Sequence, residues 1–189
     1  MRIVGGQFRS RQLETPKGKD VRPTSDKVRQ AIFNSLENKR RIQDSVILDA
    51  FCGTGALGLE ALSRGARQSI FIDKSKKSLD VCRRNIISLN LKDCTFTYIH
   101  DSQNLPNKHK ECPKADLIFL DPPYQKNMIV KSLRSIIEKG WCHHDAFFVI
   151  ETSSQENFEN AQFVCESKKT YGDTTIHMGS LKYAAIDHG

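Results

Sequence analysis

The 189 residues hold no Cys-x-x-Cys pair, no regular cysteine spacing and no apolar stretch approaching the length of a bilayer span. The six cysteines (Cys52, Cys82, Cys94, Cys112, Cys142 and Cys165) are scattered singly. That argues against a disulfide framework or a zinc ribbon and fits reduced thiols in cytosol. The opening Met1-Arg2-Ile3-Val4-Gly5-Gly6 lacks the apolar core of a secretory signal, so a cytoplasmic location is expected. His, Cys and carboxylates nowhere fall at metal-ligand spacing, so no metal is expected. No Ser-His-Asp or Cys-His arrangement stands out, and there is no internal repeat or low-complexity segment. What remains is ordinary globular composition, 38% hydrophobic and 27% charged, long enough to bury a core without staples.

Charge is unevenly placed. Residues 1–41 carry eleven Lys and Arg against four Asp and Glu, whereas residues 42–189 carry eighteen of each. The whole excess of +7 therefore sits in the N-terminal fifth. A confined basic arm is the footprint expected for a phosphate-rich partner, and Arg2, Arg9, Arg11, Arg22, Lys27 and Arg29 are its candidate contacts. A solvated basic tail would look similar. An anionic membrane surface is disfavoured, because no amphipathic apolar face accompanies the charge.

The pattern divides into a basic hairpin and helix over 1–41 and a larger unit over 42–189. Ile3, Val4, Phe8 and Leu13 punctuate an extended pair, Pro16, Gly18 and Pro23 break it, and Thr24 or Ser25 can cap a helix to about Asn38. From residue 45 strand and helix alternate. Strands are expected at Val46–Asp49, Ser69–Asp73, Thr95–Ile99, Ala115–Leu120 and Ala146–Ile150. Helices are expected at Gly55–Arg64, Ser75–Asn90 and Met128–Lys139. His143-His144 reads as loop between helix and strand, and 162–184 as an antiparallel hairpin turned near Tyr171-Gly172-Asp173. Such alternation means an α/β fold with a mostly parallel sheet covered on both faces, and ligands in such sheets bind at the carboxyl ends of the strands.

The residues after each strand carry the chemistry. After the first, Asp49-Ala50-Phe51-Cys52-Gly53-Thr54-Gly55-Ala56-Leu57-Gly58 contains G-x-G-x-x-G, which allows a sharp turn and close backbone approach to a nucleoside cofactor. The pattern alone allows either a nicotinamide dinucleotide or S-adenosylmethionine. Asp49 leans toward the latter, since a carboxylate there attracts ammonium or sulfonium charge and repels a pyrophosphate. Asp73, with Lys74 beside it, follows the second strand and can take both ribose hydroxyls. Asp101 and Ser102 follow the third, where a carboxylate can accept from an adenine amine. Phe51 and Thr54 complete the expected cofactor set.

Asp121-Pro122-Pro123-Tyr124 follows the fourth strand and decides the reaction class. An aryl amine is a poor nucleophile because its lone pair is delocalised into the ring. Asp121 and the carbonyl of Pro122 can each accept one of its hydrogens and so aim the lone pair. The prolines stiffen the loop, and Tyr124 can stack on a flipped base. The expected activity is methyl transfer to an exocyclic amine of a nucleic-acid base.

With these motifs in place the chain resembles the RsmD-type 16S ribosomal RNA (guanine-N(2)) methyltransferases, nearly end to end. The likeness runs through Arg2-Ile3-Val4-Gly5-Gly6, the stretch from Arg22 to Arg29, Phe33-Asn34, and Leu48 to Gly65. It continues in Asp121 to Tyr124 and in Tyr171-Gly172-Asp173-Thr174. The resemblance implies a seven-stranded Rossmann-like sheet of the class I S-adenosylmethionine methyltransferases with its last strand antiparallel. It implies S-adenosylmethionine as cofactor and guanine in 16S rRNA as target; a small ribosomal subunit or an assembly intermediate is the expected setting, with naked rRNA left open, and a monomer is the default. It places Gly53 and Gly55 at the methionine end of the cofactor, Asp73 at the ribose, Asp101 at the adenine, and Asp121, Pro122 and Tyr124 at the base. Asp73 and His100 depart from the Glu and Asn that many relatives carry. A DNA adenine-N6 methyltransferase and a non-catalytic RNA-binding assembly factor are the rival readings.

Overall fold

A computed structural model describes residues 1–15, 25–123, 127–156 and 158–182. Tyr124 and Arg22, together with Pro16, Gly18, Pro23 and Thr24, lie outside the described residues. Helix α1 (Asp26–Asn38) is capped by Ser25, whose side chain accepts from the Val28 N–H. The alternating part then runs β1 (Val46–Asp49), α2 (Ala56–Ser63), β2 (Gln68–Asp73), α3 (Lys76–Ser88), β3 (Thr95–Ile99), β4 (Ala115–Leu120), α4 (Met128–Glu138) and β5 (Cys142–Ser153). The hairpin β6 (Phe163–Tyr171) and β7 (Thr174–Leu181) closes it. Ser75 caps α3 by accepting from the Ser78 N–H.

The seven strands form one sheet in the order β3-β2-β1-β4-β5-β7-β6. Strands β1 to β5 pair in parallel, and β7 is antiparallel to both its neighbours. The order reverses between β1 and β4, so the switch point lies at their carboxyl ends. β1 is buried at every position, as a strand covered on both faces must be.

β5 begins earlier than the pattern suggests. His143 and His144 lie within it rather than in a loop, which corrects the expectation. The reason is a bulge. Ala115 pairs with Cys142, but Leu117 pairs with Phe147, so three extra residues stand on the β5 side and face solvent. Exposed polar residues in a bulge give no alternation to read.

The sheet separates two apolar layers. One contains Phe33, Leu36, Leu59, Phe71, Leu79, Phe119, Phe147 and Val149, and the other Leu48, Ile70, Leu120, Ile136, Trp141, Phe148 and Ile150. Ile3, Leu13, Ile32, Phe33 and Leu36 from the first 41 residues belong to the first layer. The N-terminal segment thus shares its core with the sheet.

Hydrogen bonds fasten that segment over α2. Val4 N–H donates to Glu60 (2.8 Å), Phe8 N–H to the Ser63 hydroxyl (2.9 Å), and Gln7 N–H to the Ser63 carbonyl (2.8 Å). Glu60, fully buried, also accepts from Arg64 (2.8 Å) and faces Arg29 (3.7 Å). Arg64 lies over the Phe33 ring, 5.1 Å from its centroid.

Among the described residues no helix is long and apolar enough to cross a membrane.

Candidate active site

The carboxyl ends of β1, β2 and β4 are bound together by their own backbone. Ala50 N–H donates to the Phe119 carbonyl (3.1 Å) and Cys52 N–H to the Ile72 carbonyl (3.0 Å). The chain then turns through Gly53 and Gly55 into α2. Gly53 has φ +52°, and a Cβ added there would meet nothing within 4 Å, so the loop faces open space at this point. Gly58 serves packing instead. A Cβ there would stand 2.4 Å from the Phe71 ring and 2.6 Å from the Ser69 hydroxyl, so only glycine lets α2 lie this close to β2.

Asp49 sits beneath the loop rather than on the open surface, 1% exposed, and its carboxylate accepts from the Gly58 N–H (3.1 Å) in the first turn of α2. Burial pushes its pKa up to about 7; the Gly58 hydrogen bond opposes the shift and the nearby Asp73 adds to it. Its carboxylate therefore lies one layer below the open face of the loop. A carboxylate bonded to the first turn of α2 offsets the positive helix N-terminus that would attract a pyrophosphate. The same buried negative group suits a ligand that brings positive charge. The open loop and the acidic floor therefore fit a cationic amino-acid nucleoside better than a dinucleotide.

Asp73 is partly buried, and its two oxygens accept from Gly53 N–H (2.9 Å) and Ser75 N–H (2.7 Å). It thereby ties the glycine loop to the start of α3 while remaining at the strand end. Lys74 is exposed beside it, and Phe51 is half-buried against the second apolar layer. Thr54 is buried under the loop. Asp101 is exposed and closes a turn by accepting from Gln103 N–H (3.0 Å). Ser102 is buried and its hydroxyl donates to the Ala50 carbonyl, so that hydroxyl fastens the third strand end to the first and is not directed at a ligand. Asp121 is partly buried, Pro122 buried and Pro123 exposed at the end of β4.

Of the basic arm, Arg2, Arg9, Arg11 and Lys27 are exposed. Arg11 reaches the Ser88 carbonyl (3.1 Å), and Arg2 pairs loosely with Asp26 (3.3 Å). Arg29 is 1% exposed, paired with Asp26 (2.8 Å) and bonded to the Arg2 carbonyl. Its expected RNA-facing place is corrected: helical phase turns it inward, where it holds α1 to the N-terminal segment and faces Glu60 of α2.

Several residues of this end escaped the sequence reading. Asn85 is buried on α3 and joins three segments: it donates to the carbonyls of Thr54 (3.0 Å) and Glu14 (3.1 Å) and accepts from Glu14 N–H (2.7 Å). A lone amide within the apolar stripe Cys82, Ile86 and Leu89 was the available signal. Ile99 is 45% exposed level with Asp73, an apolar face at the cofactor end. Glu151, buried at the end of β5, accepts from the Thr174 hydroxyl (3.4 Å). The turn after Tyr171 lies at this same end, with Ser154 N–H donating to the Asp173 carbonyl (2.8 Å). A separate surface cavity lined by Arg40, Arg41, Asp116 and Asp145 opens at the amino ends of the strands, away from these groups. Among the described residues no group of three His, Cys, Asp or Glu side chains could hold a metal ion.

A family model described as "Conserved hypothetical protein 95" matches residues 1–180. The chain belongs to this family. It is 32% identical over 152 residues to the ribosomal RNA small subunit methyltransferase D of Escherichia coli (strain K12), covering 80% of this chain and 74% of that one. The protein of the same name from Buchnera aphidicola subsp. Baizongia pistaciae is 31% identical over 160 residues, 85% of this chain and 78% of its own. These matches identify it as the RsmD-type family. Among solved structures, one from Escherichia coli superposes with a TM-score of 0.81 at 26% identity, covering 96% of this chain and 99% of that chain. An RNA methyltransferase from Salinibacter ruber in complex with S-adenosyl-L-homocysteine shares the fold, with a TM-score of 0.64 at 16% identity over 88% of this chain and 97% of that one.

Proposed function

We propose that the protein is an S-adenosylmethionine-dependent methyltransferase of small-subunit ribosomal RNA, acting in the cytoplasm on the N2 amine of a guanine. The observation that carries the reading is the pairing of an open glycine loop over a buried acidic floor with Asp121-Pro122 at the adjoining strand end. Family membership supports the rRNA substrate, since its relatives carry that activity in their names.

Bound S-adenosylmethionine supplies an electrophilic methyl group on a sulfonium. The chain's own residues do the rest. Asp49 provides negative charge under the loop, and Asp73 and Asp101 stand where the ribose and adenine would lie. Asp121 and the Pro122 carbonyl accept the two hydrogens of the target amine and aim its lone pair, and Tyr124 offers a ring to the flipped base. The amine becomes acidic only after it is methylated, so orientation matters more than a strong base. The exposed Arg9 and Arg11, with Arg22, contact phosphates.

Methyl transfer from labelled S-adenosylmethionine to small ribosomal subunits, naked 16S rRNA and duplex DNA tests this, with the product nucleoside identified. N2-methylguanosine in ribosomal RNA is the expected result. Label on DNA adenine would overturn the target, and cofactor binding without any transfer would favour a binding factor.

Two further outcomes follow from the site. Replacing Arg9, Arg11 and Arg22 with Ala should weaken RNA binding and lower the slope of log K against log salt by about 2–3, while sparing cofactor affinity. An unchanged slope would remove the arm from the RNA interface. The second concerns Asp49, whose carboxyl is held protonated up to about pH 7 in the folded protein. Folding therefore loses stability as pH rises from roughly 4 to 7, because the unfolded chain ionises first. A cationic ligand favours the ionised form, so cofactor affinity should rise with pH up to about 7 and then level off. Asp49→Asn should flatten that profile. Calorimetric titration with S-adenosylmethionine between pH 5.5 and 8 reads it directly, and a flat wild-type profile would refute the role given to Asp49.

A further inference from the structure

The register of β4 and β5 places a second acceptor beside the target amine. Phe119 pairs with Val149 and Leu120 with Ile150. That is the last pair of the two strands; the next residues are Asp121, the first past β4, and Glu151, still within β5. Val149 belongs to the first apolar layer, and Glu151 follows it by two residues, the period that returns a strand to the same face. Glu151 is 8% exposed, at the carboxyl end of a strand in the middle of the sheet. Thr174, at the start of β7, donates its hydroxyl to one carboxylate oxygen (3.4 Å). On its other side β5 pairs the Glu151 backbone with Ile176 of β7.

Two carboxylates side by side form an acceptor-only edge. Such an edge matches a partner whose own edge carries only donors. The edge of guanine beside its amine does so: N1–H and the N2 amine are adjacent donors. Adenine places an acceptor, N1, next to its amine, and that lone pair would face a carboxylate.

We propose that Glu151 is the specificity-determining residue for the target base, accepting the N1–H of guanine while Asp121 and the Pro122 carbonyl hold the N2 amine. The inference rests on the amine-methyltransferase reading above and adds to it the residue that selects guanine. It also gives Thr174 a role, since its hydroxyl positions the carboxylate that reads the base.

The experiment separates the inference from the reading beneath it. The methylated guanosine is mapped in wild-type product, and 16S rRNA is then assembled by ligation with guanine or 2-aminopurine at that position. 2-Aminopurine keeps the N2 amine but has an unprotonated N1. Wild-type enzyme should prefer guanine by at least about 10²-fold in kcat/KM. In Glu151→Gln the amide can donate to N1, so rate on guanine should fall and the preference should shrink at least about tenfold. Cofactor affinity and melting temperature are measured on the same variant. Equal wild-type rates on the two bases would overturn the proposal without any variant. So would Glu151→Gln lowering both rates equally, the result of a structural role alone. Absence of guanosine methylation by wild type would instead remove the underlying reading.

Discussion

Asp121→Ala should bind S-adenosylmethionine as the wild type does and lose turnover by at least about 10²–10³-fold. The expectation follows from where the residue stands. It is the first residue past β4, beside the switch point, and it is partly buried, so its direction is set by the strand and by the two prolines behind it. The glycine loop, Asp49 and Asp73 hang from β1 and β2, tied by the hydrogen bonds that Gly53, Gly58 and Ser75 donate to the two carboxylates. Cofactor affinity should thus survive while the amine loses an acceptor that aims its lone pair. Single-turnover methylation with saturating enzyme isolates the chemical step. A variant with wild-type turnover would contradict the assignment. A variant that loses cofactor binding as well would show that the two halves of the site are not independent.

The second large effect is on stability. Glu60→Ala should cost about 3–5 kcal/mol, the range for removing one partner of a buried ion pair. Glu60 is fully buried and accepts from Val4 N–H and Arg64, with Arg29 at 3.7 Å. Its loss takes one carboxylate from the 1%-exposed Arg29 and the 3%-exposed Arg64, which keep Asp26 and Glu37, and strands the Val4 amide. Because those remaining acceptors relieve part of the cost, the lower end of the range is expected. Urea unfolding should show a reduced midpoint with an unchanged slope. A loss under about 1 kcal/mol would mean that the cluster orients the N-terminal segment without stabilising it. Glu60→Gln keeps the acceptor for Val4 and should recover part of the loss.

How far each element could be read depended on whether its signal was local. The Thr95–Ile99 and Ala115–Leu120 strands are found at those bounds, because turn residues close both runs. Ser25 and Ser75 cap their helices as their positions before apolar-periodic runs suggested. The start of β5 was not legible, since His143 to Asp145 are polar residues in a bulge. Arg29 was misplaced for a related reason. A basic residue in a basic arm looks solvent-facing until its buried surroundings are known; Asp26 is local, but Glu60, which faces it from α2, lies 31 positions away. Glu60 itself breaks the apolar run Ala56-Leu57-Gly58-Leu59-Ala61-Leu62, and that break was the available clue. The Ser102 hydroxyl is spent on the Ala50 carbonyl, a pairing that only the packed strand ends reveal.

The sequence by itself determined the α/β alternation, the glycine loop after β1, and the acidic and Asp-Pro-Pro residues at the strand ends. Each of these is written in a few consecutive residues, where periodicity, capping and turn chemistry act. The tertiary structure alone decided the strand order, the burial of Asp49 and Arg29, and the pairing of Leu120 with Ile150, which brings the ends of β4 and β5 together. Those depend on which strands become neighbours and in what register, and sheet pairing is set by the packing of the whole core rather than by any local run of residues.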